Sequence, residues 1–262
     1  LMTNSKKNTL LFGNHVDVYD EFRPSYPKVM YDKILSLSPS ENYCIDVGAG
    51  SGIATKDLLS YFNKVIAIEP DFKMYNFLLN RFGNVIDIYN SDFLQCDNIQ
   101  DGVDTIICAS SFHWLDHSKF LHKAYDSLSH NGIIAVCNVN IYPIFEKSLK
   151  SILESEYNRN WKPFVHSKLV DLIHKENVIN KLNSVKKFSA PNLYSFDNIK
   201  LYTTSKVIGF LSSLSYVNLY LNSLSNSSRL NYLTDLSTKI STLDIDLHKV
   251  NFQVNLFVIK KI

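Results

Sequence analysis

Glycine is scarce in this chain, 8 in 262 residues, alongside 7 prolines, 4 cysteines and 2 tryptophans. So little glycine and proline excludes collagen-like and low-complexity classes. No apolar run reaches the roughly 20 residues a membrane-crossing helix needs. No basic-then-apolar segment opens the sequence as a secretory leader would. Neither charge sign dominates: 27 lysines and arginines against 25 acids leave a formal charge of +2. No basic stripe marks a general nucleic-acid binder. The lysine pairs at 6–7 and 260–261 read as solvated tails. Cys44, Cys96, Cys108 and Cys137 show no CxxC spacing, which argues against a zinc ribbon or a disulfide framework. Three of them sit in apolar runs, where a free thiol behaves as a small buried hydrophobe. The expectation is a cytoplasmic protein, monomer or homodimer, with no metal and no nucleic-acid or membrane partner.

What is present is a core-forming composition, 45% hydrophobic and 13% aromatic. That is enough for one large domain or two small ones. Between Tyr43 and Asn140 short β-rich runs alternate with helical patterns: "YCIDV", "KVIAIE", "NVIDIY", "VDTIICAS" and "GIIAVCNV". These runs are continuously apolar, as parallel strands covered on both faces are. The best-formed helical pattern spans His117 to Ser129, with Asp116 or Ser118 as its cap and His130–Gly132 as its end. Repeated βα units predict right-handed crossovers and a doubly wound, Rossmann-like α/β sheet. Ahead of the sheet, "YDEFRPSYP" leads into a helix carrying Val29, Met30, Ile34 and Leu37. After it come mixed helix, a strand at "VKKFSA", and helical stretches at 205–224 and 228–240. The run "KVNFQVNLFVIKK" has a period of two and predicts an antiparallel strand, so strands six and seven should pair as a hairpin at the sheet edge. Seven strands in one mostly parallel sheet are therefore expected. No Gly/Pro-rich linker divides the chain. We expect one domain over 1–262: a lid and helix to 40, a ligand-binding core over 41–140, and substrate-side helices with the final hairpin over 141–262.

Three of the eight glycines fall in one turn, "CIDVGAGSGIA", at Gly48, Gly50 and Gly52. Glycine costs conformational entropy, so the cluster marks a tight turn or a close backbone approach. A strand, a glycine turn and a helix start place N–H groups at a helix N-terminus, suited to an anionic or dipolar group. A dinucleotide site wants G-x-G-x-x-G, but Ile53 stands where its third glycine belongs, which argues against NAD. Glu69 closes the second run, where a carboxylate can accept both ribose hydroxyls; that placement serves NAD equally well. Asp92 follows the third run, placed for an adenine amino group, with Phe93 beside it. Asp46 precedes the turn and could receive a ligand ammonium or hold the loop. The plainer alternative makes Glu69 and Asp92 solvated loop acids.

With these residues in view, the chain resembles the class I S-adenosylmethionine-dependent methyltransferases, and within them the type 11, trans-aconitate methyltransferase-like branch. The resemblance rests on "YDEFRPSYP" (19–27), "IDVGAGSGIAT" (45–55), "AIEPDFKM" (67–74) and "ASSFHWLD" (109–116), of which the first and last are the discriminating ones. "YTTSKVIGFLSSLSYV" (202–217) is similar to that branch too, and the similarity thins between Ile141 and Ser184. The resemblance implies that the three glycines pass under the methionine part of S-adenosylmethionine. It implies further that Asp46 holds the loop or the ammonium, that Glu69 holds the ribose, and that Pro70 and Met74 flank the adenine. Asp92 and Phe93 would close the far edge, and Ser110 would lie at the end of strand four. Tyr19, Arg23 and Tyr26 would cover the cofactor as a lid and reach its carboxylate.

A sulfonium methyl is already activated, so transfer needs chiefly alignment and desolvation. A carboxylate acceptor needs no base. An alcohol, amine or carbon acceptor might need one, and His113 is the candidate, lying past strand four at the edge where open α/β sheets bind ligands. The plainer reading of His113 is a side chain that shapes the pocket, and Trp114 reads as pocket wall. His113, His117 and His122 lack the acid of a zinc helix. The leading expectation is methylation of a small molecule, a carboxylate or other anion. The alternatives are a protein-directed methyltransferase and a non-catalytic cofactor-binding subunit.

Overall fold

The five apolar runs of the sequence become five adjacent parallel strands of one sheet, the third of them at its edge. The computed structural model describes residues 22–140, 143–165 and 174–262. In chain order the first half contains α1 (Lys28–Leu37), β1 (Tyr43–Val47), α2 (Ile53–Leu58), β2 (Lys64–Ile68), α3 (Phe72–Phe82), β3 (Asp87–Tyr89), β4 (Val103–Ala109), α4 (His117–Ser127) and β5 (Leu128–Val139). The second half contains β6 (Ile144–Phe145), α5 (Lys147–Glu156), α6 (Lys175–Leu182), β7 (Asn192–Phe196), β8 (Ile199–Tyr202), α7 (Thr204–Ser212), α8 (Ser215–Ser223), α9 (Asn226–Ser241), β9 (His248–Asn251) and β10 (Val254–Lys260). The large sheet runs β3-β2-β1-β4-β5-β10-β7, and β6-β9-β8 form a separate small one. Strands β1 to β5 are parallel, and β10 lies antiparallel between β5 and β7. The mostly parallel, seven-stranded α/β sheet is the one its sequence predicts. The three-stranded sheet is additional.

Every residue of β1 is buried, as a strand covered on both faces requires. One face carries Val47, Ile106, Phe112 and Phe120 under α4 and α6; the other carries Met30, Ile34, Leu58 and Leu256 under α1 and α2. The small sheet and helices α5 and α7–α9 share a third core around Trp161, Phe210 and Phe252. Among the described residues no helix is long and apolar enough to cross a membrane. All four cysteines are buried and unpaired.

Four local expectations need correction. The stretch 185–190 is not a strand: Phe188 makes a single bridge to Lys261 and packs its ring on Tyr125, and the seventh strand starts four residues past it at Asn192. The period-two run at the end of the sequence is two strands, because Phe252 leaves both sheets to pack against Tyr202 and Phe210, its N–H donating to the Asn198 carbonyl. The antiparallel pair β7/β10 is therefore joined through the small sheet and three helices. Helix α4 ends at Ser127, because buried Leu128 already pairs with Val103; the His130–Gly132 stretch lies inside β5, where Asn131 takes φ 63° at the register shift. Val29, expected on the apolar face of α1, is 54% exposed, and Tyr31 takes its place in the core.

Candidate active site

At the carboxyl ends of β1 to β5 lies a cavity of about 590 Å³, within the range of small-molecule sites. Its floor is the glycine turn after β1. Gly48, Gly50 and Gly52 have φ of 68°, 60° and 87°, a region L side chains avoid. A Cβ at Gly48 would stand 2.6 Å from Ser111 Cβ, and one at Gly52 would stand 2.6 Å from Leu78 and Phe82. A Cβ at Gly50 would meet nothing within 4 Å. Two of the glycines thus serve internal packing, and Gly50 alone faces open space on the cavity side.

Glu69, just past β2, is 6% exposed and tied to that turn: Oε2 accepts from the Gly50 N–H at 2.7 Å and Oε1 from the Asp71 N–H at 2.8 Å. Each oxygen keeps a second lone pair for a ligand donor. Burial pushes the carboxyl up to about 7, against the pull of these two bonds. Asp71 caps α3, accepting from the Lys73 and Met74 N–H groups at 2.9 and 3.0 Å, and so sets Met74 beside Pro70 in the cavity wall. Asp92 accepts from the Leu94 N–H at 2.8 Å, which turns the chain so that buried Phe93 reaches the cavity while packing on Phe120.

After β4, Ser110 has φ 60° and shares a 3.0 Å hydrogen bond with the Tyr26 hydroxyl. Ser111 Oγ donates to the Val47 carbonyl, locking this turn to the glycine turn. Arg23 donates to the Ser213 carbonyl at 3.1 Å and lies over the Phe210 ring. Arg23, Pro24 and Tyr26 all line the cavity; Tyr19 lies outside the described residues. His113 also lines it, beside the ring of Trp114 at 4.6 Å. Its Nδ1 is buried without a partner. Burial, with Lys181 and His117 nearby, lowers its pKa to about 4, so the imidazole is neutral at physiological pH.

The structure therefore gathers Arg23, Tyr26, Gly48, Gly50, Glu69, Pro70, Met74, Asp92, Phe93, Ser110, His113 and Trp114 around one space. Asp46 and Gly52 stand behind its wall. Asp46 is fully buried; its Oδ2 accepts from Thr55 Oγ1 at 2.6 Å and holds the start of α2, while its Oδ1 has no partner. Asn138, near the end of β5, was not anticipated; its one sequence signal is a polar residue next to last in the apolar run "GIIAVCNV". Val165, Phe210, Tyr216 and Phe252 arrive from far along the chain.

Residues 45–136, which carry all of this except Arg23, Tyr26, Asn138 and the distant apolar wall, match the family model described as "Methyltransferase domain". This stretch is similar to methyltransferase domains. A Dictyostelium discoideum protein named as a methyltransferase is 26% identical over 176 residues, 62% of this chain and 64% of its own length. The chain spans about half to two thirds of the length of such curated relatives. A solved structure from Anaeromyxobacter dehalogenans, described as a type II methyltransferase, superposes with a TM-score of 0.75 at 15% identity, over 90% of this chain and 97% of that one. Mycolic acid cyclopropane synthase, solved with S-adenosylhomocysteine, superposes with a TM-score of 0.54 at 14% identity, covering 100% and 99%. These likenesses show a shared fold that extends over both the sheet and the cap.

Proposed function

We propose that the chain transfers a methyl group from S-adenosylmethionine to a small molecule, with the described chain acting as one methyltransferase unit. The observation that carries this is the Glu69–Gly50 pairing: a buried carboxylate with spare lone pairs, joined to a turn that opens only at Gly50. Those features fit a nucleoside with vicinal hydroxyls beside a short chain crossing the turn. Glu69 would hold the ribose, Pro70, Met74 and Phe93 the adenine faces, and Asp92 its edge. Arg23 and Tyr26 would cover the opposite end as a lid. The cofactor supplies an activated methyl group on a sulfonium. What the protein adds is alignment and exclusion of water. For an acceptor whose nucleophile carries a proton, His113 is a neutral imidazole on the acceptor side, free to accept it but, with its pKa lowered to about 4, only a weak base. The likeness to the trans-aconitate branch belongs to this reading, but a carboxylate acceptor finds little charge here. Among the described lining residues Arg23 is the sole lysine or arginine, and the cofactor's own carboxylate claims it.

A ligand bound only by the folded state raises its melting temperature. S-adenosylmethionine and S-adenosylhomocysteine should raise it, and NAD and NADP should not. A rise with NAD and none with S-adenosylhomocysteine would overturn the reading.

A further inference from the structure

Glycine is among the poorest residues for a helix interior, yet Gly209 stands inside α7. Unlike the glycines of the turn after β1, it has no positive φ to adopt. What it makes room for is a ring. A Cβ built on Gly209 would overlap the Phe22 side chain, so that ring lies directly on the helix backbone, packed against the cap core. The notch costs the helix some of its own stability, and Phe22 is what occupies it.

Residues 22–26 form a strap whose two ends are held by different parts of the molecule. The cap holds the first end: the Tyr202 hydroxyl donates to the Phe22 carbonyl at 3.4 Å, and Arg23 donates to the Ser213 carbonyl at 3.1 Å while lying over Phe210. Midway, Asn198 Nδ2 donates to the Ser25 carbonyl at 2.8 Å. The sheet side holds the second end, through the hydrogen bond between Tyr26 and Ser110 and the edge-to-face contact of Tyr26 with Tyr31 on α1. Hydrogen bonds at partly exposed positions exchange readily with water and fix a chain weakly; a ring seated in a fitted notch is harder to replace. Arg23, Pro24 and Tyr26 line the cavity. Arg23 follows Phe22 directly and depends on the cap end, whereas Tyr26 has its own anchor. We propose that Gly209 and Phe22 are positioning residues for Arg23: the notch in α7 latches the strap and sets the guanidinium in advance at the cofactor's carboxylate, so that binding does not have to order it. This rests on the cofactor reading above.

The test compares S-adenosylhomocysteine with 5′-methylthioadenosine, which keeps the nucleoside and thioether and lacks the amino-acid end. Both are titrated calorimetrically into the parent, Phe22→Ala, Gly209→Ala and the double variant. Each single variant should lose at least tenfold for S-adenosylhomocysteine and less than twofold for 5′-methylthioadenosine. Because both substitutions undo one contact, the double variant should lose no more than twofold beyond the weaker single one. The latch is also read without ligand. Chymotrypsin cleavage after Phe22, identified by mass, should be at least tenfold faster in Gly209→Ala than in the parent, since cleavage follows the open population. S-adenosylhomocysteine affinity within twofold of the parent in Phe22→Ala, equal losses for the two nucleosides, losses that multiply in the double variant, or cleavage at the parent's rate would overturn the inference. If Gly209→Ala does not fold, Phe22→Ala decides alone. A parent that binds neither nucleoside would instead sink the cofactor reading, and cleavage at Phe22 still reports on the notch.

Discussion

At the scale of single residues, the three glycines of the turn divide their labour, and substitution should expose the division. Gly52→Ala forces a methyl to 2.6 Å from Leu78 and Phe82 at φ 87°, so both overpacking and backbone strain act against the fold. Each costs on the order of 1–3 kcal/mol. Gly50→Ala bears only the strain, about 1–2 kcal/mol for a left-handed L residue, because its methyl meets open space. That methyl projects where a ligand would lie. Urea unfolding should therefore show Gly52→Ala as the more destabilised variant. Calorimetry should show Gly50→Ala as the one that loses S-adenosylhomocysteine affinity out of proportion to its stability. Equal affinity loss in a stable Gly52→Ala would contradict this. From sequence the three glycines look alike, because Leu78, Phe82 and Ser111 come from other elements. Asn138 was illegible for the same reason: whether an amide is engaged depends on partners the local sequence does not reveal.

At the scale of elements, what could be read in advance was what depends on neighbours in sequence. Continuous apolar runs announce parallel strands, and β1, β2, β4 and β5 stand where those runs stand. The break between β9 and β10 could not be read, since the period of two continues through it; only Phe252's contacts with Tyr202 and Phe210, some 40 to 50 positions earlier, pull the chain out of line. Candidate site residues on the first four strand ends were legible, and the wall formed by the cap was not. The start of α3 joins local and distant logic. Asp71 satisfies two end N–H groups with its side chain while its own N–H holds Glu69. Asp71→Ala removes the cap, worth about 1 kcal/mol, and keeps the backbone bond to Glu69. The unfolding free energy from urea titration should drop by that amount, and the midpoint with it. S-adenosylhomocysteine affinity should weaken several-fold through fraying at Met74, and an unchanged midpoint would show the cap to be redundant.

At the scale of the molecule, sheet and cap respond to acid with opposite sign. The carboxyl of Glu69 is raised by burial from 4.5 to about 7. The folded state holds its proton more tightly than the unfolded chain, so the penalty is full above pH 7 and is relieved as pH falls toward 4.5. That span corresponds to about 3 kcal/mol. Glu156 in the cap behaves in reverse. Burial disfavours its charge, yet Lys239 at 2.7 Å, Tyr232 and Asn160 outweigh that and hold the carboxyl below its ordinary value. Its contribution is full above pH 4.5 and is lost as pH falls through the lowered value. Denaturant midpoints measured from pH 7.5 to 3.5 should show the parent gaining on Glu69→Gln as the medium is acidified from 7 to 4.5. Against Glu156→Gln it should lose ground below 4.5. Parallel curves for either pair would remove that group from the account.

The position of β10 has a consequence in time. It is the last strand of the large sheet in sequence order, and it enters the middle rather than the edge, between β5 and β7. During synthesis from the N-terminus, β5 and β7 are both made while the strand that joins them is missing. Each then presents a row of bare backbone donors and acceptors, the template on which chains join one another. A nascent or truncated chain stopping before Val254 is in that condition permanently, with two open edges and the apolar face of β10 absent from the core. Its fate should turn on holdase chaperones and on concentration, and completion of residues 254–260 is the event that converts a self-adhesive intermediate into a closed sheet.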